Sequence, residues 1–290
     1  MTRRLGRRRW LTGAAAVLAY ASTTAARAET TALDVQPAVR IELALGDVDV
    51  EIDTTDTNRV RLVETSLPHG FRAELRGTAE RVEVVVHGVG VPSSGRIALR
   101  VPRGAHLEIR ARSGDVTVHG LDGEAHVSVL HGHIALDGAP TRVEASTTSG
   151  DVRVSGVRED AALATVNGDI VVTDARGRLD ANTVSGALRV HGTGLTRTSM
   201  ATVAGSLELR GQLEAGTHSI DAHSGNIAVH LPRARGLHVR ARTFSGVIED
   251  AWTDPPTRVR SRYDVTRGDG AVRLRIGTFN SNIRLSPTRG

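Results

Sequence analysis

The sequence predicts an all-β fold, a single-chain β-solenoid with about 18 to 21 residues in each coil. A regular spacing of glycines carries this prediction, because a fixed period of this size indicates units that stack only on their neighbours. Aliphatic residues also recur at fixed offsets from each glycine, with the two-residue alternation typical of strands. The glycines are 18 residues apart at first, and then 19, 20 and 21 apart: Gly114, Gly132, Gly150, Gly168, Gly186, Gly205, Gly225 and Gly246.

Residues 1–28 have the pattern of a signal peptide. Five arginines lie within the first nine residues, a short apolar stretch follows, and Ala26-Arg27-Ala28 is a cleavage site of the A-x-A type. The mature chain is therefore expected to begin at Glu29, and the apolar stretch is too short to span a bilayer. The run from Arg7 to Leu11 also resembles a twin-arginine export signal, with an ordinary secretory signal as the alternative. Either route predicts a periplasmic or secreted protein.

Removal of the signal peptide changes the charge of the chain. The signal carries six arginines and no acidic residue, so 31 basic residues (37 less six) remain against 32 acidic ones. A nearly neutral mature chain gives no support for nucleic-acid binding. The absence of cysteine excludes disulfides, thiolate metal sites and a cysteine nucleophile.

Residues 29–105 precede the regular repeat but already contain strand patterns, for example at 39–43 and 81–86. We interpret this segment as an irregular N-terminal β-layer. Because the open ends of a solenoid expose strand edges, the layer is expected to continue or cap the stack.

Residues 106–250 form the predicted regular coils. Around each glycine the apolar positions alternate with polar or small ones, as in the inward Val152 and Val154 and the outward Arg153. Each coil should therefore have two short strands with an apolar inner face, joined by a bend at the glycine and its polar neighbours. The inward positions two and four residues after the glycine, and five before it, begin with Val116, Val118 and Ile109 in the first coil.

A column of threonines is expected inside the stack. Thr147, Thr165, Thr183 and Thr202 each stand three residues before a glycine, on the inward register. Since a buried hydroxyl needs a partner, we interpret them as a structural ladder in which hydroxyls bond from coil to coil.

The handedness expected for the solenoid is that of a right-handed β-helix. A left-handed hexapeptide helix of 18 residues per coil would need an aliphatic residue every six positions. Six and twelve residues after Val116 come Asp122 and Ser128, and the later gaps of 19 to 21 break the hexad as well. After the coils, Asp254-Pro255-Pro256 interrupts the repeat, and residues 251–290 are predicted to be closing strands. Residues 29–290 are expected to form one continuous domain.

One column of the repeat carries acidic residues. Asp115, His133, Asp151 and Asp169 each follow a glycine directly. Stacked carboxylates repel one another, so they either bind cations or are relieved by neighbours and solvent. Because aspartate is a common turn residue, we interpret the column as part of the bend rather than as a metal site.

Two other motifs invite a functional interpretation. His126, His131 and His133 are close enough in sequence to suggest zinc, but we expect His126 and His131 on opposite sides of a bend, and the spacing fixes no matching carboxylate, so we interpret them as exposed strand histidines. Arg267-Gly268-Asp269 spells a tripeptide that integrins recognise, but such a tripeptide arises easily by chance in a chain rich in these residues, and we interpret it as a hairpin turn.

The sequence contains none of the motifs G-x-S-x-G, H-E-x-x-H or the P-loop. Ser149, Ser185 and Ser224 stand at repeat corners and are most simply turn residues. We therefore assign no catalytic, cofactor-binding or metal-ligating residue, no cofactor and no enzymatic activity.

Several segments resemble a known bacterial family. The run RIALRVPRG at 96–104, LEI at 107–109, SGDV at 113–116 and the later Gly-Asp-Val/Ile coils are similar to the putative-adhesin family, a domain of unknown function built of β-strand repeats. Residues 272–283 resemble that family's terminal coil, with Ser281 in place of a glycine. The resemblance implies a β-solenoid of the cell envelope and no established activity.

These observations lead to a functional expectation. We expect a non-enzymatic envelope β-solenoid that acts as a scaffold or an adhesin-like binding surface for an envelope protein or a surface glycan. The alternative is a carbohydrate-active β-helix enzyme, which a cleft lined by carboxylates and arginine would favour. A third hypothesis is self-association through an uncapped end of the stack.

Overall fold

The computed structural model describes residues 31–90, 92, 94–232 and 236–288, and the predicted signal peptide at 1–28 lies outside them. The described residues form one sheet of 23 strands and contain no helix. The strands are β1 Ala32–Asp34, β2 Arg40–Asp47, β3 Asp49–Thr55, β4 Arg59–Ser66, β5 Arg72–Gly77, β6 Arg81–His87, β7 Arg96–Pro102, β8 His106–Ser113, β9 Val116–Leu121, β10 Glu124–His131, β11 Ile134–Gly138, β12 Arg142–Ser149, β13 Val152–Ser155, β14 Asp160–Asn167, β15 Ile170–Ser185, β16 Leu188–Ala204, β17 Leu207–Leu213, β18 Gly216–Ser224, β19 Ile227–Leu231, β20 Leu237–Asp250, β21 Thr257–Arg267, β22 Val272–Thr278 and β23 Ile283–Pro287.

The strands stack into two parallel ladders, which confirms the predicted β-solenoid. In the A ladder the order is β6, β2, β8, β10, β12, β14, the second halves of β15 and β16, β18, β22 and the first half of β20. In the B ladder it is β7, β3, β9, β11, β13, the first halves of β15 and β16, β17, β19, β23 and the second half of β20. One strand of each ladder, with the corner between them, makes a coil.

The core fills the space between the two ladders. Val152, for example, pairs with Ile134 on one side and with Ile170 on the other, and all three are fully buried. The three predicted inward registers are buried in every coil, so this prediction is confirmed. The residues are Val116, Ile134, Val152, Ile170, Leu188, Leu207, Ile227, Ile248; Val118, Leu136, Val154, Val172, Val190, Leu209, Val229; and Ile109, Val127, Ala145, Leu163, Ala181, Met200, Ile220, Ala241.

The corners bring the backbones of adjacent coils into contact. A Cβ atom on Gly150 or Gly168 would overlap the carbonyl oxygen of the glycine one coil earlier. Gly150 also has a φ of 146°, which residues with a side chain rarely adopt. At Gly168 the constraint is the close approach of the two backbones. Glycine is therefore required at the corner for lack of space as well as for its conformation.

The inward threonines bond differently from our prediction. Thr147 Oγ1 donates to the carbonyl oxygen of Gly132 at 3.1 Å, Thr165 to Gly150 at 3.0 Å, and Thr183 to Gly168 at 3.2 Å. The expected hydroxyl-to-hydroxyl ladder was wrong, and the buried Oγ1 of Thr202 has no hydrogen-bond partner among the described residues. The corner glycine of the preceding coil presents its carbonyl oxygen within reach, and a carbonyl is the stronger acceptor for a buried hydroxyl.

Near each end, the stacking order departs from the chain order. Coil β2–β3 lies between coil β6–β7 and β8–β9, and coil β22–β23 lies between β18–β19 and β20. The segment 29–105 thus contributes two coils in register with the regular ones, together with β1, β4 and β5. The closing segment 251–290 contributes β21 and one coil.

Antiparallel strands cover both ends of the stack. At one end β4 pairs with β7 and β5 with β6; at the other, β21 pairs with both halves of β20. These covering strands carry exposed arginines, which is a common way of discouraging edge-to-edge pairing. The arginines are Arg59, Arg61, Arg72, Arg76, Arg258, Arg260 and Arg262.

The inward register leads to a testable difference between neighbouring residues. Val152→Asp places a carboxylate in the core without a partner and should lower the free energy of unfolding by about 3–5 kcal/mol. Arg153→Asp changes an exposed side chain and should cost less than about 1 kcal/mol. Thermal and denaturant unfolding of the two variants measure the difference, and equal stabilities would contradict the register.

Candidate binding surface

The polar column after the corner glycines forms a ladder of hydrogen bonds from side chain to backbone. The backbone N–H of each member donates to the side chain one coil earlier: His133 to Asp115 Oδ1 at 2.8 Å, Asp151 to His133 Nδ1 at 3.0 Å, and Asp169 to Asp151 Oδ1 at 2.9 Å. Ala187 continues it by donating to Asp169 Oδ1 at 2.8 Å. These side chains are thus occupied in holding successive corners together.

Arginines offset the charge of this column. Arg153 Nη2 lies 2.8 Å from Asp151 Oδ2, and Arg189 Nη1 lies 3.1 Å from Asp169 Oδ2. The hydrogen bond from the backbone of Asp169 and the pair with Arg153 together hold the pKa of Asp151 below its usual range. The repulsion between the stacked carboxylates is thus offset by neighbouring arginines and backbone N–H groups.

A group with metal-ligand chemistry lies on the outer face of the B ladder. Glu51 and Asp53 of β3 and His119 of β9 place one ligand atom each within 4.8 Å of one another. Sequence reasoning missed this group because the two strands become neighbours only through the end rearrangement. Glu51 is ion-paired with Arg96, and His119 Nδ1 lies 2.7 Å from Asp137 Oδ2, which raises the pKa of His119. We interpret it as an ion-pair network.

The three predicted histidines form no metal-ligand group in the part of the chain that the structure describes. His126 Nδ1 lies 3.1 Å from Glu144 Oε2, on the outer face of the A ladder. His133 belongs to the polar column at the corner, and His131 is exposed at the end of β10. The predicted bend between His126 and His131 was wrong, because both lie on β10 and the corner follows at Gly132.

Carboxylates and arginines also meet on the outer face of the A ladder. A shallow depression of about 270 Å³ is lined by Glu108, Glu124, Glu144, Arg40 and Arg142, among others. The side chains of Glu124 and Glu144 are 46% and 61% exposed and lie beside histidines at 3.6 Å and 3.1 Å. This is the environment of solvated ion pairs on a flat strand surface, whereas a catalytic acid needs burial to raise its pKa.

The tripeptide at 267–269 is part of the C-terminal cap. The side chain of Arg267 forms an ion pair with the fully buried Asp250, which also accepts a hydrogen bond from Tyr263. The guanidinium carbon of Arg267 lies 5.0 Å from the centre of the Trp252 ring. Burial, with the hydrogen bond to Asp250 as the next cause, raises the pKa of Tyr263 to about 12. Arg267 is therefore engaged inside the cap, and the turn interpretation agrees with the structure.

An exposed apolar column runs along the A ladder. It consists of the outward residues two positions before each corner from Gly132 onward, and we call it the ridge; on β8 the exposed Arg112 occupies the same position. Six of the eight exposed large hydrophobic side chains among the described residues belong to it. In stacking order the ridge is Leu130, Thr148, Val166, Val184, Val203, His223, Phe279 and Phe244.

A column of mostly small residues lies beside the ridge, two positions earlier on each strand. We call it the groove column, and the ridge and groove column together the strip. Between β10 and the second half of β16 the strip contains no ionisable residue. In the same order the groove column is Ser128, Ser146, Ala164, Asn182, Ala201, Asp221, Gly277 and Arg242.

The ridge ends in stacked rings. The centroids of Phe244 and Phe279 are 4.7 Å apart with planes 2° from parallel, and His223 stacks on Phe279 at 5.3 Å and 4°. Phe244 is 76% exposed. Large apolar side chains that align over this length usually mark an interaction surface. Sequence reasoning missed the ridge because it treated all outward positions alike, although the apolar residues two before each glycine were a visible signal.

The sequence profile of one protein family, described as Toastrack DUF4097, matches residues 38–286. The chain belongs to this family. It is a domain of unknown function, so membership in the Toastrack family establishes the fold and leaves the role open. Among curated proteins, none matches the chain.

Solved structures of low sequence identity are also similar to this chain over most of its length. A putative cell adhesion protein from Clostridium sporogenes is 10% identical, covers 89% of this chain and 98% of its own, and has a TM-score of 0.22. A putative adhesin from Bacteroides fragilis is 11% identical over 88% and 94%, with a TM-score of 0.28. A putative lipid binding protein from Parabacteroides distasonis is 15% identical over 88% and 96%, with a TM-score of 0.36. Within the described ranges, no helix is long and apolar enough to cross a membrane.

The polar column predicts how Asp151 contributes to stability. Asp151→Ala leaves the N–H of Asp169 without its acceptor and should cost about 1–2 kcal/mol. Asp151→Asn keeps an oxygen in place, as Asn226 does when it accepts from the N–H of Asn282 at 3.3 Å, and should cost less. Because the folded-state pKa of Asp151 is lowered, its ionised form stabilises the protein above the unfolded pKa of about 3.9, and this contribution is lost as pH falls through the folded-state pKa.

Unfolding measurements between about pH 7 and pH 2 provide the check. The stability difference between the wild type and Asp151→Asn should shrink at the acid end of this range. A constant difference down to the lowest pH would contradict the role given to the carboxylate.

Proposed function

We propose that this protein is an exported, non-enzymatic β-solenoid of the bacterial cell envelope that acts as a scaffold or adhesin-like binding surface. The strip is the surface that makes contact, and its partner is an envelope protein or a surface glycan. The observation that carries the proposal is the alignment of six exposed apolar side chains in one column. A soluble chain with such a column leaves apolar area in water unless a partner covers it.

The stacked fold supports a role as a scaffold. Each coil is bonded to the next by the strand ladders, and several of the regular coils are also joined by the corner threonines and by the polar column. A surface carried on such a stack keeps its side chains at fixed spacing, which lowers the entropic cost of ordering them on binding.

The alternative of a carbohydrate-active enzyme receives less support. Carboxylates and arginines do meet in the depression beside β8, β10 and β12. They form partly exposed ion pairs such as that of Glu108, 26% exposed, with Arg110, 64% exposed, at 2.5 Å. A pair of carboxyl groups with separated roles, one of them protonated by burial, is what hydrolysis of a glycoside requires.

Binding to isolated envelopes tests the proposal. Mature protein from Glu29 onward is mixed with envelopes of a bacterium that encodes it, and the fraction that sediments is measured. The double variant Val184→Asp, Val203→Asp places two charges on the ridge and should reduce binding by about tenfold or more. Val171→Asp is the matched control, because Val171 lies outward on the B ladder between Arg153 and Arg189.

Two results would refute the proposal. One is full-length protein retained in the cytoplasm of those cells, because the proposed role requires export. The other is binding that is equal for the wild type and the ridge variant, because the strip would then not be the contact surface.

A further inference from the structure

The occupant of the strip is a further question, and its answer rests on the proposed function: of the two kinds of partner named there, an envelope protein and a surface glycan, the strip favours an envelope protein that is a second copy of this chain. We propose that the strip binds the strip of a second copy of this chain, so that two solenoids lie side by side. The pairing is isologous, with a two-fold axis parallel to the direction of stacking.

The shape of the strip is complementary to itself. The ridge and the groove column are two residues apart on the same strands, so they run next to each other along the ladder. A two-fold axis between the two columns places the ridge of one copy against the groove column of the other, coil opposite coil. Val184 then faces Asn182, and Val203 faces Ala201, which leaves the larger residue opposite the smaller one.

The spacing along the strip favours a second copy over other partners. Successive ridge residues are separated by one coil, about 4.8 Å, over roughly 34 Å from Leu130 to Phe244. A partner that fills such a surface in register needs the same repeat distance. A second copy of this chain has the same repeat distance, including any local irregularity in the spacing of its coils.

The charges on the strip permit two identical surfaces to meet. The stretch from Leu130 to Val203 carries no ionisable residue in either column, so like charges are not brought together there. Farther along, His223 of one copy faces Asp221 of the other, and Phe244 faces Arg242. The first pair allows a hydrogen bond from an imidazole N–H to a carboxylate, and the second a cation–π contact.

The area is sufficient for a dimer. The exposed fractions of the six large ridge residues range from 41% to 76%, which corresponds to roughly 500 Å² of apolar surface. With the groove column and the rim, each copy approaches the ~800 Å² per partner of a standard interface. Association through the ends is disfavoured instead, because antiparallel strands with exposed arginines cover both ends.

Sedimentation of the purified mature protein from about 1 to 100 µM measures the dimer dissociation constant directly. The wild type should dimerise in this range. Val184→Asp acts twice in an isologous dimer and should weaken it more than about 100-fold, while Val171→Asp should leave it unchanged. Circular dichroism of both variants verifies that the fold is kept.

A charge exchange tests the arrangement of ridge against groove column. His223→Asp brings two carboxylates together across the interface and should weaken the dimer about tenfold at pH 6. The double variant His223→Asp, Asp221→His again places a histidine opposite an aspartate across the interface and should recover most of the affinity. A merely structural effect of His223→Asp would not be rescued in this way.

Three outcomes would overturn the proposal: a monomer at 100 µM, a dimer that Val184→Asp does not weaken, or a double variant that is not rescued. A monomer whose binding to envelopes still depends on the strip would overturn the second copy as partner and leave the proposed function standing. If neither dimerisation nor binding to envelopes depends on the strip, both the second copy as partner and the proposed function are overturned.

Discussion

The close approach of the backbone at the corners is the constraint on which the rest of the structure depends. At the corners of the regular coils, from Gly114 to Gly246, the space where a Cβ atom would lie is filled by a carbonyl oxygen of the neighbouring coil, as at Gly150 and Gly168. Only glycine fits there, so glycine recurs once in each of these coils. The same contact presents a carbonyl oxygen to the threonine of the next coil, as between Thr165 and Gly150. The corner thus specifies both the period and the hydrogen bonds around it.

Because every coil repeats the same geometry, a residue type at one offset becomes a continuous column. Buried offsets produce the core, and the offset after the glycine produces the polar column through Asp115 and Asp151. The offset two residues before the glycine produces the ridge. A surface of this kind needs no loops or clefts, since the stack itself aligns the side chains. The surface chemistry of this fold is therefore set column by column, and the ridge is an apolar column that stays exposed.

Local periodicity made most of the coil architecture predictable from sequence. The inward positions such as Val152 follow directly from the spacing of the glycines, because strand residues alternate faces. The order of the end coils could not be predicted, because the pairing of β2 with both β6 and β8 depends on contacts between distant segments. The acceptor of the Thr147 hydroxyl was mispredicted because the position of the Gly132 carbonyl depends on how coils stack. The ridge was visible in the sequence, yet its meaning depended on knowing which outward residues remain uncovered.

Deletion of a whole coil tests the central claim most directly. Removal of residues 150–167 joins Ser149 to Gly168 and keeps every inward position inward, so His133 can accept from the N–H of Asp169 in place of Asp151. Removal of residues 150–158 takes out half a coil, so Glu159 replaces Gly150 at a corner where a Cβ atom would overlap the carbonyl oxygen of Gly132, and every later strand of the A ladder is set against the B ladder. Circular dichroism and limited proteolysis should show a folded, protease-resistant protein for the first deletion and an unfolded or aggregated one for the second. Equal resistance of the two variants would contradict the account of stacked, interchangeable coils.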